Sequence, residues 1–391
     1  MNIAITGCQV SDSYGHVLTK NLKLLLAEKN RLPTGESFGE FKSFNIVDYE
    51  TSDLLLGEHN LPSIFRYGCD TAIRAVEQSG TVSDRSRIGV FASSLYNDAD
   101  TALRSSTTYL EGKARSRPYD LFYQTSEPLV TIVSRLLKLE GMTSCISATC
   151  SSGLFALEIA SALIKQGSLD QAVILCADLS SHSFNSYKMN GSRALTPQNI
   201  SRPFDVSRNG IVMGDGIAAI VVEKLETAIN RKANILSVIN GIGSATANYH
   251  PTNPKLMTSA YYSAFNKAVS TIDDLKKIKW ISAHATGTLD GDLIESQIMA
   301  ELLPDRYITS FKGHLGHAMA ASGLLELCYT IEAMNSNIVP HVANTIEADV
   351  DKGIQVALEN INLESEYVIK NSYGFGGRAS SVIISKGNNY G

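Results

Sequence analysis

The stretch SATCSSGLFALEIASALIKQG, residues 147–167, sets one thiol, Cys150, where a run of small residues meets an apolar segment. Free cysteine is among the most buried residue types, so packing alone accounts for many of them. The chemical reading is a nucleophile. Leu154, Phe155, Leu157, Ile159, Ala160, Leu163 and Ile164 leave the segment no polar face, which predicts a buried helix. Cys150 then stands at its N-terminal end, where free N–H groups and the helix dipole favour an anion. A thiol so placed is expected to fall below its usual value of about 8.5. Ala148, Ser151, Ser152 and Gly153 leave room for a ligand, and Gly167 is the expected helix stop.

Two further segments hold groups that could serve this thiol. In AHATGTLDGDLIE (283–295), His284 follows an apolar strand, and strand ends gather sites in α/β proteins. In FKGHLGHAMAASGLLE (311–326), Lys312, His314, His317 and Glu326 stand among glycines and alanines. Each histidine alone reads as a satisfied polar group. No carboxylate lies at helical spacing beside His314 and His317, so no metal site is expected. Near the end, NSYGFGGRASSVII (371–384) surrounds Phe375 with Gly374, Gly376 and Gly377, residues that permit backbone angles closed to others. It is no dinucleotide fingerprint, which needs its glycines between a strand and a helix.

The elements that must position these groups follow from hydrophobic patterning. Residues 2–7, 87–94, 171–177 and 217–223 read as strands, and 63–80 and 151–166 as helices closed by glycine. The charged stretch 223–234 separates two parts, after which strand patterns restart at 235–243, 278–283, 306–310 and 367–374. The alternation predicts an α/β protein with buried sheets, in two similar halves spanning 1–233 and 234–391.

Composition removes other classes. The chain has 391 residues, 44% of them hydrophobic and 19% charged, enough for a large core and too apolar for disorder. A net charge of −5 gives no support for nucleic-acid binding. No apolar run reaches the length of a membrane span, and the first residues, MNIAITGCQV, do not read as a signal peptide. None of the six cysteines forms a C-x-x-C pair, so zinc and redox pairs are not signalled, and a reducing cytoplasmic setting is expected.

Taken together, these segments resemble the β-ketoacyl-ACP synthases, the condensing enzymes of the thiolase-like superfamily. The likeness runs from AITG near the start through SRPFDVSRNGIVMGDGIAAIVVEKLE (201–226) to the terminal glycine loop, with the motifs in family order. The resemblance implies an α/β thiolase-like fold, two similar halves in a five-layered αβαβα arrangement. It implies that Cys150 accepts the acyl group, that His284 and His317 are the active-site histidines, and that Lys312 and Glu326 support them. It assigns His317 rather than His314 from the interval after Lys312. Thr286 and Thr288 match threonines that contact the phosphopantetheine arm. Phe375 matches a gating residue whose N–H joins that of Cys150 in an oxyanion hole. Ala285, Ser322 and the pair Arg378-Ala379 depart from the family's usual glycine, alanine and Thr-Asn.

The activity so implied is decarboxylating Claisen condensation of malonyl-ACP with a Cys150-bound acyl chain, in type II fatty acid or specialised polyketide or polyene synthesis. No bound cofactor is implied, since phosphopantetheine arrives on the acyl carrier protein. The implied partners are that acidic carrier and a second subunit, either a copy of this chain or a chain-length factor. Carrier contacts are expected at Arg193 in GSRAL (191–195), and at Lys113, Arg115 and Arg117 in GKARSRP (112–118). The competing readings are a non-decarboxylating thiolase-like acyltransferase, disfavoured because His317 stands where a thiolase has a second cysteine, and a subunit that only shapes a partner's pocket, disfavoured by the intact Cys150, His284 and His317.

Overall fold

The computed structural model describes residues 2–55, 61–113, 117, 119–247, 249–250 and 252–387. Ten strands carry the architecture: β1 Ile3–Asp12, β2 Ile88–Ser93, β3 Thr143–Cys145, β4 Gln171–Leu179, β5 Met213–Lys224, β6 Ser237–Thr246, β7 Ile278–Ser282, β8 Arg306–Thr309, β9 Tyr367–Gly374 and β10 Arg378–Lys386. Six helices pack on them: α1 Ser63–Ser79, α2 Glu127–Leu137, α3 Ser152–Lys165, α4 Thr258–Val269, α5 Leu289–Leu302 and α6 Ser322–Asn335. The strand and helix expectations hold within a few residues. The charged stretch before residue 235 holds a short helix, Leu225–Asn230.

The halves repeat one topology. In the first, the strand order is β1-β5-β4-β2-β3; in the second it is β6-β10-β9-β7-β8. Each begins with two antiparallel pairings and ends with two parallel ones. A short antiparallel pairing of Ile3–Ile5 with Ser237–Ile239 joins them. The repeat extends to detail. ATCSSG (148–153) and AMAASG (318–323) each form a 3-10 turn followed at once by a helix. Thr149 and Met319, each leading its turn, both have positive φ, 52° and 46°.

Alternating side chains divide the core. Ala218, Ile220 and Val222 of β5 face the central cluster, while Ile217, Ala219 and Val221 face an outer one built on α1 and α2. In the second half Val382 and Ile384 face the central cluster, and Ile383 faces the outer cluster under α4 and α5. Helices α3 and α6 fill the middle, each touching strands of both halves. The layers therefore run αβαβα, and sheets covered on both faces explain the near-continuous apolar strands. A fully buried leucine in such a layer contributes about 1.5–3 kcal/mol.

Two glycines bring the middle helices together at their starts. A Cβ at Gly153 would lie 2.9 Å from Leu324 Cβ, and one at Gly323 would lie 2.9 Å from Ser372 Oγ and 3.4 Å from Leu154 Cγ. Their absence lets the turn ahead of α3 reach the turn ahead of α6. No helix among the described residues is long and apolar enough to cross a membrane.

Candidate active site

The close helix starts place Cys150 Sγ 3.2 Å from Nε2 of His317. The other ring nitrogen of His317, Nδ1, lies 2.8 Å from the Ser322 hydroxyl on the first turn of α6. His284 stands edge-on to His317, ring centroids 5.7 Å apart. It follows β7 directly, in a loop held by two buried carboxylates of α5. Glu295 accepts the N–H groups of His284 and Ala285, and Asp292 accepts those of Thr286 and Gly287. Lys312 Nζ donates to the His284 carbonyl at 2.5 Å and lies 3.5 Å from His284 Nδ1. That ammonium can only donate, so His284 keeps its proton on Nε2. Glu326 of α6 accepts from Lys312 at 2.6 Å.

The electrostatics follow from burial. His284 and His317 are driven well below the ordinary histidine value by desolvation first, and then by neighbouring cations, Lys312 foremost. Both are neutral imidazoles at physiological pH. The thiol reverses the sequence expectation. Burial pushes Cys150 up to about 12; Lys312 opposes the rise, and Asp178 and Glu326 add to it. Loss of water around the sulfur outweighs the helix start. Cys150 therefore rests as a thiol, and its proton has to pass to a base as it attacks. His317 Nε2 is placed for that.

The terminal glycine loop is bound to the cysteine turn. Ser372 Oγ donates to the Cys150 carbonyl, Ser151 Oγ to the Ser372 carbonyl, and Thr149 Oγ1 to the Phe375 carbonyl. The glycines differ in their reasons. Gly376 and Gly377 have φ of 78° and 71°. Gly374 is a close approach instead: a Cβ there would lie 2.2 Å from Thr149 Oγ1 and 3.1 Å from the Cys150 nitrogen. Gly374→Ala is expected to lower the single-turnover acylation rate of Cys150 about 10- to 100-fold, by displacing the cysteine turn. Unchanged acylation would show that the loop yields freely.

A cleft of about 650 Å³ opens onto these groups, lined by Cys150, His284, His317, Thr286, Thr288 and Phe375 among others. A larger cavity of about 840 Å³ lies elsewhere, around Asp98, Arg104 and Tyr123, and includes neither Cys150 nor His284 nor His317. Of these two cavities, the smaller is the one that joins a thiol to an imidazole among the described residues.

Comparison with known proteins identifies the family. Residues 59–228 match the family profile described as Beta-ketoacyl synthase, N-terminal domain, and residues 236–345 match Beta-ketoacyl synthase, C-terminal domain. The chain belongs to the beta-ketoacyl synthase family. Among relatives of this chain, a 3-oxoacyl-[acyl-carrier-protein] synthase homolog of Saccharomyces cerevisiae is 31% identical over 65% of this chain and 61% of its own length. The match thus spans about three-fifths of that yeast relative. The 3-oxoacyl-[acyl-carrier-protein] synthase 2 of Vibrio harveyi is 26% identical over 98% of both chains. A beta-ketoacyl synthase structure from Burkholderia phymatum STM815 superposes with a TM-score of 0.86 at 24% identity, covering 98% of this chain and 99% of that one. It shares the thiolase-like fold.

The fold gathers most of the residues singled out from sequence. Cys150, His284, His317, Thr286, Thr288, Phe375 and Arg193 line one cleft, with Lys312 and Glu326 buried behind the histidines. Of the other basic residues, Lys113 pairs with Glu111, Arg117 lines the larger cavity, and Arg115 lies outside the described residues. Sequence reasoning missed several groups. Glu295 and Asp292 were present in the quoted His284 segment without a role. Asp178, which accepts the N–H groups of Leu95, Tyr96 and Ala320 beside the site, ends an apolar strand and carried no signal. Lys370 is buried within β9, and its signal was a lone charge inside a strand pattern.

Proposed function

We propose that this chain is a β-ketoacyl-carrier-protein synthase that condenses an acyl group held on Cys150 with a malonyl unit, losing carbon dioxide, in fatty acid or polyketide synthesis. The observation that carries the reading is the Cys150–His317 contact at 3.2 Å, with neutral His284 facing the same cleft.

In acylation, Cys150 sulfur attacks the carrier thioester and its proton moves to His317 Nε2. The departing phosphopantetheine thiol takes that proton. Malonyl-carrier then enters through the cleft past Thr286 and Thr288. Its terminal carboxylate leaves as carbon dioxide, and the bonding electrons form an enolate. Nε2–H groups of His284 and His317 donate to the enolate oxygen. The enolate carbon attacks the acyl-Cys150 carbonyl, whose oxyanion is received by the N–H groups of Cys150 and Phe375. Collapse releases the β-ketoacyl carrier and the Cys150 thiolate, which takes a proton from solvent by way of His317 and returns to the thiol. His317 must offer a lone pair in the first step and an N–H in the second. The Ser322 hydroxyl at its Nδ1 supports both tautomers, since a hydroxyl donates or accepts. We propose that the carrier protein docks at the cleft mouth near Arg193.

Incubation with acyl- and malonyl-loaded carriers tests the reading. Mass spectrometry should find an acyl adduct on Cys150, and labelled malonyl-carrier should release carbon dioxide with formation of a β-ketoacyl product. An adduct that forms without carbon dioxide release would point to acyl transfer alone.

A further inference from the structure

Glu326 is shared by two buried lysines. Lys312 Nζ meets one carboxylate oxygen and Lys370 Nζ the other, both at 2.6 Å. Both ammonium groups are almost wholly out of water. Lys370 completes its coordination with two carbonyls, Ala283 at 2.9 Å and Asn371 at 2.7 Å. Ala283 immediately precedes His284, and Asn371 opens the segment that leads to Phe375. One side chain thus ties α6, the His284 loop and the glycine loop together.

Lys370 lies on β9 between Val368 and Ser372, on the strand face turned to the middle layer. A lysine in such a place costs desolvation unless it is well partnered. Its three partners satisfy all its donors. Two cations share the one Glu326 carboxylate behind the histidines.

We propose that Lys370 is a positioning residue of the site, which holds Glu326 and the Ala283 carbonyl in place and, together with Lys312, sets cationic charge behind His284 and His317. The proposal rests on the reading of His317 as the neutral base of the acylation step. The groups facing His284 are Lys312, Lys370, Glu295, Glu326, His317 and the Tyr373 ring. Those facing His317 are Cys150, Ser322, His284 and the lysine pair, with Asp178 holding the turn beside it. Lys370 lowers the proton affinity of both histidines, after burial and Lys312. Removing it weakens that effect, so the histidines protonate at higher pH, and His317 loses the Nε2 lone pair that takes the Cys150 proton sooner on acidification.

The test compares wild type with Lys370→Met. Ring ¹⁵N NMR of His284 and His317, without substrate, should show protonation beginning about one pH unit higher in the variant. The acid limb of Cys150 acylation, which needs the His317 lone pair, should move up by the same amount. A merely structural role would lower activity at every pH and leave the limb in place. Unmoved histidine titrations in a folded variant overturn the proposal. Should the variant fail to fold, ¹³Cε lysine NMR of the wild type decides: Lys370 must be an ammonium at pH 7, and a neutral amine overturns it. Histidine titrations that move while even wild type releases no carbon dioxide would sink the proposed function and leave Lys370 in its role.

Discussion

Cys150→Ala is expected to abolish acyl transfer and condensation while the protein keeps its fold. The thiol is buried and 3.2 Å from His317, and no other described cysteine lines the cleft. Deleting one sulfur from a turn should cost about 1–2 kcal/mol of stability, so thermal unfolding should shift only slightly. Carrier-dependent acylation should fall to background. Cys150→Gln should separate the half-reactions: its amide occupies the place of an acylated thiol, so carbon dioxide release from malonyl-carrier should survive without condensation. Appreciable condensation by the alanine variant would remove the nucleophile from the mechanism. A folded glutamine variant that releases no carbon dioxide would mean that decarboxylation needs the sulfur itself.

The neighbouring histidines provide the second large contrast. His317→Ala should lower carbon dioxide release at least ~100-fold, the usual scale for a lost acid–base or donor group. His314→Ala should leave it within a few fold. His314 points away from Cys150: its Nε2 lies 3.2 Å from the His341 carbonyl, and its ring packs edge-on against that of His341. Burial, with His341 nearby, lowers its value to about 3, so it is neutral throughout the working range. Its removal leaves a buried carbonyl without its donor, which costs about 1–3 kcal/mol of stability. The expected pattern is a less stable but active His314 variant and a stable but inactive His317 variant. The reverse pattern would overturn the assignment of roles within this segment.

Much of this site was legible because its residues lie in unusual local settings. Cys150 stood between small residues and an apolar helix, and the glycines around Phe375 marked a loop with special backbone needs. The Cys150 protonation state was not legible. The helix start is a local feature, whereas desolvation depends on β9, α6 and the glycine loop closing over the sulfur from other parts of the chain. Lys370 was hidden for a related reason. A lysine in a strand usually faces water, and only the second sheet and the middle helices turn that face inward. The repeat was beyond sequence comparison because it survives as strand order and turn geometry, while Cys150 in one half corresponds to Ala320 in the other.

That correspondence separates ancestry from folding. A duplicated gene suggests two modules that could be cut apart near residue 234, yet α3 comes from the first half and α6 from the second, and each covers strands of both. A fragment ending at residue 233 would keep α3 but lose the sheet and the helix that cover much of its surface. Half the chain is the unit that the topology repeats, yet the two middle helices are each covered by both halves. One copy of the repeated turn carries Cys150 and its twin carries Ala320, and neither turn could be separated without uncovering the helix that follows it.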